Sequence, residues 1–184
     1  ASVVGMLMYL GSNSRPDISF AVHQCARFTH SPRHSHEVAL KRIGRYLLGT
    51  KDKGLIMDPS EALQIEMYVD ADFAGMHGYE HPENPMNVRS RTGYVICIAK
   101  CPVLWVSKLQ PGTAMSTMMA EYIALSQGMR DLIPLKRLAE EVGSHMGLND
   151  QKLATIQANT VVHEDNSGAL TLAKLEPGRS TPLS

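Results

Sequence analysis

The spacing of apolar residues divides the chain into a helical first part and a mixed remainder. Before residue 50, apolar side chains recur at helical intervals, as Leu40, Ile43 and Leu47 do. Pro16 lies where a helix can begin, because the first turn of a helix needs no N–H at that position. Gly49 lies where a third helix is expected to end. The pattern therefore predicts three successive helices in this part of the chain.

Strict alternation of apolar and polar residues begins at Leu63 and continues to Asp70. The apolar members of the run are Leu63, Ile65, Met67 and Val69. A period of two places them on one face of a strand and the polar members on the other. We therefore predict a strand with one buried face, and Asp70 on its polar face at the C-terminal end.

The rest of the chain alternates between strand and helix signals. The other predicted strands cover residues 92–99, 103–106 and 160–164, and the first two are close enough to form a hairpin. Two helices are expected between the hairpin and the last strand. The first has an apolar stripe rich in methionine, and the second begins near Leu132 and ends at Gly143. A short helix is expected over residues 168–175.

This order of elements predicts the class of the fold. Successive hairpin strands followed by a helical crossover are typical of an α/β fold of the α+β kind, in which helices pack on a mixed sheet. We expect a helical segment at residues 1–53 and a sheet-containing domain at residues 54–184.

Composition excludes several classes of protein. Hydrophobic residues make up 43% of the 184 residues, as in globular proteins, and no apolar run reaches the roughly 20 residues of a membrane span. The formal net charge is zero, so overall charge does not indicate nucleic-acid binding. Basic residues are in excess between Arg33 and Lys53, where phosphates can bind, although a solvated helix face explains this equally well.

Three carboxylates lie where strands end or where a helix starts. Asp70 ends the first strand, Glu121 lies in the first turns of the long helix, and Asp165 follows the last strand. Such positions can meet at one edge of an α/β sheet. Carboxylates that meet repel one another unless a cation lies between them, and Mg²⁺ prefers oxygen ligands of this kind. Spacing alone does not decide, because some of the 18 acidic residues will lie at strand ends by chance.

The sequence Asp70-Ala71-Asp72 also resembles the nucleophile motif of the haloacid-dehalogenase phosphatases. That family has Thr or Val where this chain has Ala74, and the later pair of acids that it requires is not found here. We therefore interpret Asp72 as a structural acid or as one that supports the metal ligands.

A series of short motifs runs along nearly the whole chain, to about residue 175. VVGMLMYL, RPDISFAV and KRIGRYLLGTKDKGL occur in the first part, and YVDADFAG, SRTGYVI, LWVSKLQ, AEYIAL and EDNSGA follow in order. In this series the chain resembles the Pol polyprotein of copia-type retrotransposons. The first part is similar to the end of the reverse transcriptase, and the remainder is similar to the RNase H domain. An ordered series is far more specific than any one of its motifs.

The resemblance implies an RNase H-like fold with an N-terminal helical appendage from the reverse transcriptase. It implies that Asp70, Glu121 and Asp165 are catalytic acids that bind a pair of Mg²⁺ or Mn²⁺ ions. The expected reaction is endonucleolytic hydrolysis of the RNA strand of an RNA–DNA hybrid during reverse transcription. The 2′-hydroxyl group allows such a site to distinguish RNA from DNA.

The resemblance also implies contacts and partners. Lys108, Gln110 and Ser116, near the turn before the long helix, are candidates for contact with nucleic acid. The expected partners are an RNA–DNA hybrid and the rest of the polyprotein. We expect no association with a membrane. The expected location is intracellular, in a cytoplasmic particle or in the nucleus.

Two departures from the family pattern matter. Met119 replaces a Glu that would form a capping box with Ser116, which weakens the start of the helix by about 1 kcal/mol or less. After Arg179 and Ser180 the family continues through an Arg-x-Lys-His-Ile segment to a further active-site group, whereas this sequence reads Thr-Pro-Leu-Ser. We therefore expect a domain that is truncated at its C-terminus.

These observations leave two hypotheses of different classes. One is a metal-dependent ribonuclease of retrotransposon origin. The other is a catalytically inactive remnant that keeps the fold or only binds nucleic acid. The three acids favour the first hypothesis, and the C-terminal departure favours the second.

Overall fold

The computed structural model describes residues 2–59, 63–78, 84–148 and 160–175. Its helices are α1 (Ser2–Asn13), α2 (Ser19–Ala26), α3 (His34–Gly49), α4 (Thr117–His145) and α5 (Ser167–Ala173), and a 3₁₀ turn at Pro16–Ile18 precedes α2. Its strands are β1 (Ile65–Asp72), β2 (Arg91–Ile98), β3 (Cys101–Leu109) and β4 (Thr160–His163). The predicted three helices before residue 50 are confirmed, with the 3₁₀ turn beginning at Pro16.

The strands form one mixed sheet in the order β3-β2-β1-β4. β1 pairs antiparallel with β2 and parallel with β4, and β2 pairs antiparallel with β3. The predicted hairpin and mixed sheet are therefore confirmed. β1 begins and ends two residues later than its predicted bounds, so Asp70 lies just before the end of the strand.

The predicted alternation along β1 decides which face of the sheet is buried. Ile65, Met67 and Val69 lie in the main core with Tyr94 and Ile96 of β2. This core lies between the sheet and α4. The strand therefore places Asp70 on the opposite face, near the end of the sheet where β1 and α4 meet.

The long helix corrects two sequence predictions. Residues 117–145 form one helix and not two, although Pro134 lies inside it. Pro134 is exposed, so water can satisfy the carbonyl that loses its N–H partner. The helix ends at His145 and not at Gly143; Met146 is its C-cap, and the positive-φ residue Gly147 follows. The N–H groups of Gly147 and Leu148 bond to the carbonyls of Ser144 and Gly143, a Schellman arrangement.

The predicted apolar stripe of α4 is buried only in part. Leu125 lies in the core and Met129 packs against it, whereas Met118 is exposed. The helix also presents small residues to the sheet, which are Ala120, Ala124 and Gly128. A Cβ on Gly128 would lie 2.7 Å from Met67 Sδ, so the absence of a side chain there allows the helix to approach the strand closely.

The N-terminal helices have a small core of their own and pack on the outer face of the sheet. Their core contains Ile18, Val22, Cys25 and Ile43. Trp105 of β3 is half-buried, as predicted, and its Nε1 donates a hydrogen bond of 2.7 Å to the Gly11 carbonyl. Arg91 of β2 is buried beneath α2. One of its terminal nitrogens lies 3.1 Å from His23 Nδ1, and its guanidinium lies over the Phe20 ring.

Candidate metal centre

The fold brings together the three acids that the sequence singled out. Asp70 comes from β1, Glu121 from the second turn of α4, and Asp165 from the loop between β4 and α5. One carboxylate oxygen of each lies within 4.8 Å of the others. Asp70 and Asp165 are exposed, whereas Glu121 is buried. The cluster therefore has a buried carboxylate at its base and two carboxylates open to solvent.

The parallel pairing of β1 and β4 explains why two of these acids meet. Tyr68 pairs with His163 in register, so both strands run toward the same edge of the sheet, where Asp70 and Asp165 follow. Glu121 reaches this edge because Ala120 is fully buried against the sheet. α4 thus begins close to the end of β1.

The surroundings of Glu121 disfavour its negative charge. Burial raises the pKa of Glu121 from 4.5 to about 7. The negative charges that act in the same direction belong to Glu164, Asp70 and Asp165. A backbone hydrogen bond with Ala71 acts against them. Among the described residues, Glu121 Oε2 is buried and has no hydrogen-bond partner.

Glu164 is a fourth acid at this edge, and our sequence reasoning missed it. Burial is the main cause of its raised pKa, and the charges of Asp165 and Asp70 add to the effect. Its Oε1 accepts a hydrogen bond of 3.0 Å from the Asn166 N–H. Its position directly before Asp165, at the end of a strand, indicates the edge of the sheet but not the direction of its side chain.

The residues present fit a hard divalent cation. All donors at the cluster are carboxylate oxygens, which Mg²⁺ and Mn²⁺ prefer. A buried oxygen without a proton donor, as on Glu121, is costly unless a cation balances its charge. Charge repulsion and burial would both be relieved by a cation at this place.

Asp72 lies outside this cluster, although it is only two residues from Asp70. Its carboxylate packs over the turn that follows β1, where a Cβ on Gly75 would lie 1.9 Å from Asp72 Oδ2. Gly75 therefore leaves the space that this carboxylate fills. This contact is consistent with the structural interpretation of Asp72.

The three candidates for nucleic-acid contact have different surroundings. Lys108 is exposed, but it lies within β3 and not in a turn. Gln110 is 0% exposed, and its Nε2 donates to the Ala120 carbonyl at 2.8 Å and to Thr92 Oγ1 at 3.2 Å. A nucleic-acid contact by Gln110 is therefore wrong for this structure. Its amide instead fixes the start of α4 on the sheet.

Ser116 is the N-cap of α4. Its hydroxyl oxygen accepts a hydrogen bond of 3.1 Å from the Met119 N–H, and its side chain is only partly exposed. This bond satisfies one of the free N–H groups at the helix start. The departure at Arg179 and Ser180 lies outside the described residues. Among the described helices, none is both long and apolar enough to span a membrane.

A second buried carboxylate, Glu66, lies near the beginning of β1. Lys100 Nζ lies 2.7 Å from Glu66 Oε2 and 2.9 Å from Oε1. His163 Nε2 lies 3.4 Å from the same carboxylate, and its ring stacks on that of Tyr68. The hydrogen bond from Lys100 is the main cause of the lowered pKa of Glu66. We call these four residues the Glu66 cluster.

Comparisons with known proteins identify relatives for nearly the whole chain. The retrovirus-related Pol polyprotein of transposon TNT 1-94 from Nicotiana tabacum is 37% identical over 174 residues, which are 95% of this chain and 12% of that polyprotein. The retrovirus-related Pol polyprotein of transposon RE1 from Arabidopsis thaliana is 36% identical over 141 residues, which are 77% of this chain and 9% of that polyprotein.

The similarity also extends to a short protein. Secreted RxLR effector protein 161 from Plasmopara viticola is 35% identical over 132 residues, which are 72% of this chain and 87% of that protein. No protein-family model and no solved structure matches the chain.

Proposed function

The chain belongs to the retrovirus-related Pol polyproteins of copia-type retrotransposons, and we propose that its sheet-containing domain is an RNase H-like, metal-dependent endoribonuclease. The proposed substrate is the RNA strand of an RNA–DNA hybrid formed during reverse transcription. The observation that carries the proposal is the convergence of Asp70, Glu121 and Asp165, with one oxygen of each within 4.8 Å of the others.

The arrangement of the sheet supports an RNase H-like fold. An antiparallel β1–β2–β3 meander is extended on its other side by β4, which runs parallel to β1. The parallel pair requires a crossover, which contains α4. This topology brings two strand-end acids and one helix acid to a single edge of the sheet.

Asp70, Glu121 and Asp165 would hold a pair of Mg²⁺ or Mn²⁺ ions. Such ions supply Lewis acidity, which activates water for attack on a phosphodiester and neutralises charge on the leaving oxygen. The chain's part is to position these ligands. The buried Glu121 is held by α4, and the exposed Asp70 and Asp165 leave the open side of the site accessible to a nucleic-acid strand.

The chain spans 12% and 9% of the two polyproteins compared above. We therefore propose that it acts as one segment of a longer polyprotein, with the helical part at residues 1–53 joining it to the reverse transcriptase. An intracellular location remains a prediction from the resemblance.

Incubation of the chain with an end-labelled RNA–DNA hybrid and Mg²⁺ or Mn²⁺ tests the proposal. We expect cleavage of the RNA strand that is lost in Asp70→Asn and retained in the matched variant Asp72→Asn. Double-stranded DNA of the same sequence should remain intact. Salt-sensitive binding of the hybrid without cleavage would contradict the enzymatic proposal and would favour a chain that only binds nucleic acid.

A further inference from the structure

We propose that Glu164 is a further carboxylate ligand of the metal centre, and that with Glu121 it holds the second of the two ions. The inference rests on the metal centre proposed above, but it does not depend on ribonuclease activity. Glu164 was not among the acids that the sequence or the resemblance assigned to the site.

The backbone around Glu164 fixes the direction of its carboxylate. The loop that carries it ends at Asn166, which caps α5 by accepting a hydrogen bond of 3.0 Å from the Ala169 N–H. Ala169 is fully buried, so the start of α5 is anchored in the domain. The Asn166 N–H then donates to Glu164 Oε1 at 3.0 Å. One oxygen of Glu164 is thus held, and the other is left for a different partner.

The second oxygen has no partner among the described residues. Glu164 Oε2 is buried without a hydrogen bond, and Glu121 Oε2 is in the same situation. Glu121 as a whole is only 4% exposed. Two buried carboxylate oxygens without proton donors are costly for a folded protein. A shared cation would satisfy both of them.

The charges around these two oxygens point the same way. The charged residues that most affect Glu121 are Glu164, Asp70 and Asp165, which are all acids. Those that most affect Glu164 are Asp165 and Asp70. Glu66 is as buried as Glu121, but it lies against the cationic side chain of Lys100. The end of β1 near α4 therefore concentrates negative charge that the described part of the chain does not itself neutralise.

The position of Glu164 indicates which ion it would bind. The acids whose oxygens all lie within 4.8 Å of one another are Asp70, Glu121 and Asp165, and Glu164 is not among them. A single ion cannot therefore be shared equally by all four. Because Glu121 Oε2 and Glu164 Oε2 are both buried without a hydrogen-bond partner among the described residues, these two are the pair expected to hold a second ion. Paired ions in such sites lie about 4 Å apart.

Titration of the full chain with Mn²⁺, followed by electron paramagnetic resonance, tests this inference. We expect the wild type to bind two Mn²⁺ ions. In Glu164→Gln the first ion should bind with unchanged affinity, and the affinity for the second ion should fall by at least about 10-fold. Glu37→Gln is the matched control, because Glu37 is an exposed acid on α3, and it should bind both ions as the wild type does.

Glutamine at position 164 keeps the size of the side chain and an oxygen that can accept from the Asn166 N–H. The variant should therefore fold and, without metal, be at least as stable as the wild type in thermal unfolding. An unfolded Glu164→Gln protein would overturn the inference, because the carboxylate would then have a structural role. Equal Mn²⁺ stoichiometry and affinity in Glu164→Gln and the wild type would also overturn it.

The outcomes separate this inference from the ribonuclease proposal. Loss of one Mn²⁺ in Glu164→Gln, with no hybrid cleavage by the wild type, would support the inference and contradict the ribonuclease. Hybrid cleavage that requires Asp70, with unchanged Mn²⁺ binding in Glu164→Gln, would support the ribonuclease and contradict the inference. A wild type that binds no Mn²⁺ would contradict both.

Discussion

Strand β1 carries the Glu66 cluster near its beginning and Asp70 of the metal centre near its end. Glu66 and Glu121, the buried acids of these two places, are each 4% exposed. Lys100 lies against Glu66 and lowers its pKa, whereas burial and neighbouring acids raise the pKa of Glu121 to about 7. The two carboxylates are thus equally buried, but their pKa values are shifted in opposite directions.

The surrounding charges thus distinguish a structural acid from an acid that requires a ligand. The Glu66 cluster supplies its own cation, so its charge is balanced within the chain. Among the described residues, the acids around Glu121 have no such balance. Strongly perturbed carboxylates in this kind of arrangement are typical of functional sites. The predictions that follow test the contrast between Glu66 and Glu121.

The largest expected effect is on the pH dependence of stability without metal. The pKa of Glu121 is raised in the folded state, so the protonated carboxyl group stabilises the fold. This contribution to the free energy of unfolding is fully present below about pH 4.5 and is lost as pH rises to about 7. The loss is on the order of 3 kcal/mol, because one pKa unit corresponds to about 1.4 kcal/mol. Urea unfolding in EDTA from pH 4.5 to 8 measures it.

The readout is the difference between the wild type and Glu121→Gln, because histidines titrate in the same range. Glutamine cannot ionise, so the variant should gain stability relative to the wild type as pH rises. A constant difference between the two proteins across this range would show that Glu121 is ordinarily ionised and would remove the contrast with Glu66.

A slightly smaller effect on the stability of the folded protein is expected when a divalent cation is added at pH 8. A ligand that binds only the folded state at 100 times its Kd adds about 2.7 kcal/mol of stability. Mg²⁺ or Mn²⁺ should therefore raise the Tm of the wild type and of Glu66→Gln, but not that of Asp70→Asn. Differential scanning fluorimetry measures this shift, and an equal shift in all three proteins would place the cation elsewhere.

A third effect concerns the Glu66 cluster. Glu66→Gln removes the charge that Lys100 and His163 face, so we expect it to destabilise the metal-free protein at pH 8 by about 1 kcal/mol. Glu121→Gln at the same pH should stabilise it. Chemical unfolding gives both values. If both substitutions changed the free energy of unfolding in the same direction, burial and not the neighbouring charges would determine how each acid affects stability.

How much the sequence could predict differed between the sheet and its helices. Ile65, Met67 and Val69 alternate with polar residues, and because a strand has a period of two, this pattern was enough to identify the buried face of β1. Strand ends allowed Asp70 and Asp165 to meet at one edge of the sheet, but only the resemblance to the family made this a prediction. The fully buried Gln110 was misassigned because a polar side chain can be buried where backbone and hydroxyl groups bind it.

The long helix was harder to predict for a physical reason. Its contact with the sheet depends on the small residues Ala124 and Gly128, which have little hydrophobic signal, whereas its exposed methionines have a strong one. Glu164 was missed because nothing in the sequence alone distinguishes a carboxylate that faces the loop from one that faces the site. That direction is set by the hydrogen bond from Asn166.

The smallest effect tests the helix start that positions Glu121. Ser116 already caps α4, and Met119→Glu would complete the capping box by accepting from the Ser116 N–H. We expect a gain of about 0.5–1 kcal/mol in metal-free unfolding at low pH, and a loss of about 1 kcal/mol in Ser116→Ala. If Met119→Glu destabilises the protein by as much as Ser116→Ala does, α4 does not begin as described.

The most direct test of the metal centre is diffraction from crystals of the chain soaked in Mn²⁺, with data collected at the manganese absorption edge. We expect anomalous density in contact with the carboxylates of Asp70, Glu121 and Asp165, and none beside Glu66, which already has Lys100. Density beside Glu66, or no density at the three acids, would contradict the assignment of this edge of the sheet as a metal centre.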